Sequence, residues 1–157
     1  MNIVCGWFTP EMEMFGAKQM PHDERYEYAT EWIQVIKKLW LENGFDFAGE
    51  HFRIKDGYLL PKPVQTPYPV LINAGSSPAG REFSAREVDF NFVSVDTLEN
   101  GREMVRDVKR RAFEYGRTIG TMTYGLVVAR DTEREARRHY DYIIEKGDWE
   151  ATRNIMH

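Results

Sequence analysis

The chain has 157 residues, 42% hydrophobic and 13% aromatic, which is enough for one buried core. Its net charge of −4 is spread through mixed-sign runs, and the densest basic run, Lys109-Arg110-Arg111, stands beside Asp107 and Glu114, so it reads as a solvated helix face and not a nucleic-acid surface. No apolar run approaches the roughly 20 residues of a membrane span, the opening Met1-Asn2-Ile3 reads as no signal peptide, and a single cysteine, Cys5, fits a reducing compartment, the cytoplasm.

In chain order, the pattern predicts a first strand at Asn2-Ile-Val-Cys-Gly-Trp7, then a polar, Met-rich loop. A helix follows from about Asp23 to Leu41, with acids in its first turn and Lys37 and Lys38 in its last, both favourable for the helix dipole. Tyr26, Ala29, Ile33, Ile36 and Trp40 recur at helical spacing and should face the core. Residues 45–68 break the rhythm: Phe45-Asp-Phe and His51-Phe-Arg-Ile flank Gly49 as a short hairpin, and Pro61, Pro63, Pro67 and Pro69 mark an extended connection.

Val70 to Ala74 should form the second strand, with a helix from Pro78 to about Glu87. The third unit is a strand at Phe90 to Val95, Asp96-x-x-Glu99 as a capping box, and a helix closed by Gly116. A strand at Tyr124 to Ala129, Thr132-x-x-Glu135 and a helix closed by Gly147 make the fourth, and Trp149 to His157 a last short helix. Alternating strands and helices imply an α/β fold with a helix-covered parallel sheet. Four units suit a small doubly wound sheet, or about half of an eight-fold barrel, since a whole barrel takes about 250 residues.

Val70-Leu-Ile-Asn-Ala-Gly75-Ser-Ser-Pro-Ala-Gly80 is the most informative segment. Ser77 is a good N-cap and Pro78 fits the first helical position. Such a turn offers free N–H groups to a phosphate, but the same loop also starts helices that bind nothing. Gly75-x4-Gly80 has the spacing of a P-loop, yet Arg81 and Glu82 stand where that motif needs Lys and Ser/Thr. The second glycine of a dinucleotide fingerprint is replaced by Ser77. The four histidines show no metal-ligand spacing, so no metal is expected, and no nucleophile–base pair is legible.

Asn2-Ile-Val-Cys-Gly-Trp, Pro10-Glu11, His22-Asp-Glu-Arg25-Tyr26, Pro61-Lys-Pro-Val-Gln-Thr-Pro and Ala74-Gly-Ser-Ser-Pro-Ala-Gly-Arg-Glu-Phe-Ser-Ala-Arg86 form an ordered series, followed by Asp89-Phe. Together they resemble the bacterial luciferase-like flavin monooxygenases, on the branch of the pyrimidine oxygenases and the dimethyl sulfone and alkanesulfonate monooxygenases. The resemblance implies a single, incomplete (β/α)8 TIM barrel over 1–157, matching the family's fourth to seventh strands, with a hairpin insertion at about 45–68. It implies reduced FMN as cofactor, O2 as co-substrate and a small pyrimidine-like or organosulfur substrate. An NAD(P)H-dependent flavin reductase would supply the FMN, and the full-length protein would be a homo-oligomer. Carried over by motif, Asn2 would contact the flavin and Glu11, in the loop beyond that strand, would also belong to the cofactor site; Arg25 and Tyr26 would contact the phosphate or ribityl chain, and Ser77 with the backbone of Gly75 and Ser76 would complete the phosphate site. Alkanesulfonate enzymes carry Arg-x-His on the seventh strand, where this chain has Tyr124-Gly-Leu126, a departure that leans away from sulfonates. A non-enzymatic phosphate- or nucleotide-binding α/β module, or an inactive truncated product, are the competing readings.

Overall fold

A computed structural model describes residues 1–156. His157, read above as part of the tail, lies outside the described residues. The chain divides into two compact units, Met1–Thr123 and the residues from Tyr124 onward.

The first unit holds β1 (Asn2–Ile3), α1 (Thr9–Met14), α2 (His22–Leu41), β2 (Phe45–Ala48), β3 (Arg53–Gly57), β4 (Ile72–Asn73), α3 (Pro78–Glu87), β5 (Phe90–Phe92), α4 (Leu98–Glu114) and β6 (Gly120–Met122). The strands β1, β4, β5 and β6 pair in parallel, neighbour to neighbour in sequence order. The segment after β1, expected as a loop, contains α1, started by Pro10 in its first turn. The strands are shorter than their apolar runs, and side-chain bonds join the ladder at the carboxyl ends of β1 and β4. Asn73 donates its side-chain amide to the Ile3 carbonyl at 2.7 Å, and Asn91 donates to the Asn73 carbonyl at 3.1 Å.

The expected strand at 124–129 is corrected. Pairing occurs earlier, at Gly120–Met122, while Tyr124, Leu126 and Val127 are largely exposed. Gly120 is the register partner of Phe90, and a Cβ on it would collide with the Phe90 ring, so only this glycine lets the last strand close up. The apolar run that follows is not assigned to a strand.

The core lies between the sheet and α2, α3 and α4. Ile33, Leu71, Val88, Val108 and Ala112 are fully buried, with Ile3, Ala29 and Phe83 nearly so. Burying one such aliphatic side chain contributes about 1.5–3 kcal/mol. Ala29 and Ile33 of the expected α2 face are in this core, and Tyr26, Ile36 and Trp40 pack against its edge. Polar ties join the helices. Lys37 on α2 bonds both the carboxylate of Glu87, at 2.9 Å, and its carbonyl, at 2.8 Å, while Gln34 donates to the same carboxylate.

The insertion is an antiparallel hairpin of β2 and β3. It hangs from α2 by the Glu31 carboxylate, which accepts the backbone N–H groups of Glu50, His51 and Phe52 at 2.8–3.2 Å.

Helix ends follow the expected chemistry with one shift. Ser77 caps α3 through Gly80 N–H. Ahead of α4 the cap is Thr97, accepting from Asn100 N–H at 3.1 Å, because the Asp96 carboxylate folds onto the Thr97 amide instead. Gly116 takes φ +66° beyond α4, the left-handed conformation a helix-closing glycine supplies at least strain.

The second unit contains α5 (Glu133–Lys146) and α6 (Trp149–Met156). Thr132 and Glu135 form a reciprocal capping box at the start of α5.

Candidate flavin-phosphate site

Helix α2 begins beyond the β1 carboxyl end, and α3 begins directly beyond that of β4. Their N-terminal turns therefore share one rim of the sheet. Arg25 and Tyr26, adjacent in sequence, point to two neighbouring loops. Arg25 donates an Nη to the Gly6 carbonyl in the loop after β1, and its Nε is buried without an acceptor. Tyr26 reaches the loop after β4: a Cβ on Gly75 would lie 2.7 Å from the Tyr26 hydroxyl, and one on Gly80 2.8 Å. The two glycines are also packed on each other, since that same Gly75 Cβ would stand 2.7 Å from the Gly80 Cα. Both must be glycine for the tyrosine to sit there. Burial pushes the Tyr26 phenol above its ordinary pKa and the nearby Cys5 adds to this, while the Ser77 hydroxyl and Arg25 act in the opposite direction.

The loop itself is held from below. Gly75 N–H is donated to Asn73 Oδ1 at 2.8 Å, so it is not open to a ligand. The Ser76 carbonyl accepts from Arg81, which Asp107 anchors at 2.7 Å. The amides of Ser76, Ser77 and Ala79 have no protein acceptor among the described residues, as expected of a helix N-terminus. They sit at the positive end of the α3 dipole, an arrangement suited to an anion.

Beside Arg25 lies a cavity of about 570 Å³ between β1, its following loop and α2, lined by Asn2, Cys5, Met12, Met20, Arg25 and Trp32 among others. Asn2 thus joins the Arg25 side of the cluster. Glu11 does not: it is exposed on α1, and its neighbour Met12 is the residue that lines the cavity. Burial raises the Cys5 thiol to about 11, against a smaller opposing effect of Arg25. The structure therefore gathers Arg25, Tyr26, Gly75, Ser76 and Ser77 on one rim, with Asn2 at the adjacent cavity and Glu11 apart. Sequence reasoning missed Asn73, Ser84 and Asn91 beneath the loop. The signal was present, since Asn73 and Asn91 interrupt two apolar strand runs at paired positions. Among the described residues no cluster of His, Cys, Asp and Glu is placed to hold a metal ion, and no helix is long and apolar enough to cross a membrane.

A helix-covered parallel sheet with its strands in sequence order defines an α/β protein. Residues 1–156 match the family described as luciferase-like monooxygenase, and the chain belongs to it. Its relatives include an FMNH(2)-dependent dimethylsulfone monooxygenase of Pseudomonas putida, 37% identical over 96% of this chain and 42% of the relative. Another is pyrimidine monooxygenase RutA of Pseudomonas syringae pv. syringae (strain B728a), 35% identical over 96% of this chain and 43% of the relative. The chain thus spans less than half the length of these proteins. Among solved structures, long-chain alkane monooxygenase LadA superposes with a TM-score of 0.74 at 28% identity, covering 83% of this chain and 36% of LadA. DmoA from Hyphomicrobium sulfonivorans shares the fold, with a TM-score of 0.79 at 23% identity over 92% of this chain and 36% of its own.

Proposed function

We propose that this chain supplies the fourth to seventh βα units of a flavin-dependent monooxygenase barrel and carries its flavin-phosphate site. The observation that carries this reading is the meeting of the first turn of α2 with the loop between Gly75 and Gly80. The residues fit the group. Arg25 is a half-buried cation whose Nε is buried and unpaired, the glycines admit the Tyr26 hydroxyl, and the amides of Ser76, Ser77 and Ala79 are open. A guanidinium presents forked donors that match phosphate oxygens.

In this reading Arg25 and Tyr26 hold the phosphate from the α2 side, and Ser77 and the amides of Ser76 and Ala79 from the α3 side. Asn2 and Glu11 remain assigned to the flavin by resemblance, Asn2 through the cavity it lines. Reduced FMN, when bound, supplies the electrons with which O2 is activated for transfer to substrate. This chain's own residues bind and orient that cofactor, and no catalytic residue is assigned. The substrate is a small pyrimidine-like or organosulfur compound, as for the two relatives named above. Tyr124-Gly-Leu126 in place of Arg-x-His argues against a sulfonate. The diffusible partner is an NAD(P)H-dependent flavin reductase, the location cytoplasmic, and the complete protein a homo-oligomer.

In a complete barrel carrying these residues, Arg25→Ala should weaken FMN binding by about 1.5–3 kcal/mol, the range for hydrogen bonds to charged groups. Riboflavin, which lacks the phosphate, should bind both forms equally. Flavin-fluorescence titration reads both, and an unchanged FMN affinity rejects the assignment.

A further inference from the structure

Beneath the loop that joins β4 to α3 lies a buried polar cluster that the flavin reading does not use directly. Asn73 is 2% exposed, and Ser84 and Asn91 are fully buried. Asn73 and Asn91 are cross-strand partners on β4 and β5, and Ser84 comes from the middle of α3. The Asn91 side-chain amide donates to three acceptors: the Asn73 carbonyl at 3.1 Å, the Gly75 carbonyl at 3.2 Å and Ser84 Oγ at 3.0 Å. Ser84 in turn donates to Asn73 Oδ1 at 3.0 Å, and the same oxygen accepts Gly75 N–H. The other half of the Asn91 carboxamide, Oδ1, is buried with no partner.

A buried, unpaired acceptor is a cost that an apolar residue of the same shape would avoid. Asn91 is thus oriented by what its donors hold and not by its own hydrogen-bond balance. What they hold is the backbone of the loop. The carbonyls of Asn73 and Gly75 both turn inward to Asn91, and Gly75 N–H turns inward to Asn73. In a backbone whose peptide groups are planar, fixing Gly75 C=O fixes the plane that contains Ser76 N–H. Arg81 then takes the Ser76 carbonyl, which fixes the plane containing Ser77 N–H.

We infer that Asn91 is a positioning residue for the phosphate loop: it holds the Asn73 carbonyl at the loop's entry and, through the Gly75 carbonyl, sets the direction of the Ser76 amide before any ligand arrives, while Arg81 sets that of Ser77. This rests on the phosphate reading of that loop. Preorganised amides need not be reoriented when the anion binds, and that reorientation is what a loosened loop would cost.

The test uses the isotope-labelled 157-residue chain, titrated with FMN and separately with inorganic phosphate. Binding is followed at the amides of Ser76, Ser77 and Ala79, which report affinities down to the millimolar range. In the native chain both ligands should move these amides. Asn91→Leu, at a temperature where it is fully folded, should bind both about tenfold more weakly, the equivalent of roughly one lost hydrogen bond. Asn91→Asp keeps the shape, replaces the donor by an acceptor, and should bind no better than Asn91→Leu. A folded Asn91→Leu that binds as the native chain does overturns the positioning role, whatever its Tm. If Asn91→Leu does not fold, the native chain decides: saturating phosphate should slow hydrogen exchange of the Asn91 side-chain amide, and an unchanged rate overturns the inference. Loop amides that neither FMN nor phosphate moves in the native chain remove the phosphate site itself, an outcome distinct from loss of the Asn91 role alone.

Discussion

Cys5 shows how a residue's neighbours set its chemistry. It borders the cavity beside Arg25, and a cation would ordinarily favour a reactive thiolate. Burial outweighs that effect and raises the thiol from 9.0 to about 11. Two pKa steps leave roughly a hundredth of the thiolate of an unperturbed cysteine at neutral pH. Iodoacetamide should therefore alkylate Cys5 about a hundredfold more slowly in the native chain than in the denatured one, and equal rates would show the thiol to be open. The same shift has a thermodynamic side. The folded state keeps the thiol proton while the unfolded state loses it, so stability should fall as pH rises from about 9 to 11.

Helices α3 and α4 are joined at their surface by an ionic chain. Asp107 accepts from Arg81 at 2.7 Å, Arg110 at 2.8 Å and Arg111 at 3.0 Å, and Arg111 continues to Glu82, which Tyr115 also bonds. Partial burial alone would raise the Asp107 carboxyl, but the three arginines prevail and lower it from 3.8 to about 2. A carboxyl depressed in the folded state contributes stability above its unfolded pKa and loses it as pH falls through the folded value. This contribution is therefore present above pH ~4 and is lost progressively as pH falls from there through about 2. Asp107→Asn should flatten the acid limb of the stability curve between those values, measured by urea unfolding across pH. An identical slope would show that Asp107 does not carry it. Because Arg81 also holds the Ser76 carbonyl, the chain ends at the proposed site.

At this scale much was legible in the sequence, for reasons that can be named. The α3 boundaries and its Ser77 cap follow from one hydroxyl before a proline, and the Thr132–Glu135 box from local side-chain reach. The ends of β1 and β4 are not legible from apolar runs, because the Ile3 and Asn73 carbonyls there accept the side-chain amides of Asn73 and Asn91. The last strand was displaced because pairing there depends on the space Gly120 leaves for the Phe90 ring, a contact across about thirty residues. The candidate residues Arg25, Tyr26 and Ser77 are legible in ordered motifs, while the support beneath the loop is not, since it is made only when two strands and a helix meet.

For the whole molecule the exposed apolar surface is the dominant feature. Val4 and Trp7 after β1 are 62% and 65% exposed, and Tyr124, Leu126 and Val127 after β6 are 72%, 71% and 85% exposed. These segments follow the two outer strands of the sheet, where a closed barrel would have further strands. Because β1 pairs over only two residues, its open edge is short, and association should run through these side chains more than through strand pairing. The 157-residue chain should therefore self-associate on size-exclusion chromatography and retain FMN poorly. A monodisperse monomer holding FMN at micromolar affinity would favour a self-sufficient module.

The Glu31 clasp has a mechanical consequence. The hairpin's turn is fastened to α2 six residues beyond Arg25, about 9 Å along the helix axis. One rigid rod thus bears the hairpin at its middle and Arg25 and Tyr26 at its tip. A force applied to the hairpin is delivered to Arg25 and Tyr26 without passing through the sheet. The insertion, which looks like an ornament on the surface, is a handle on the helix that carries Arg25 and Tyr26.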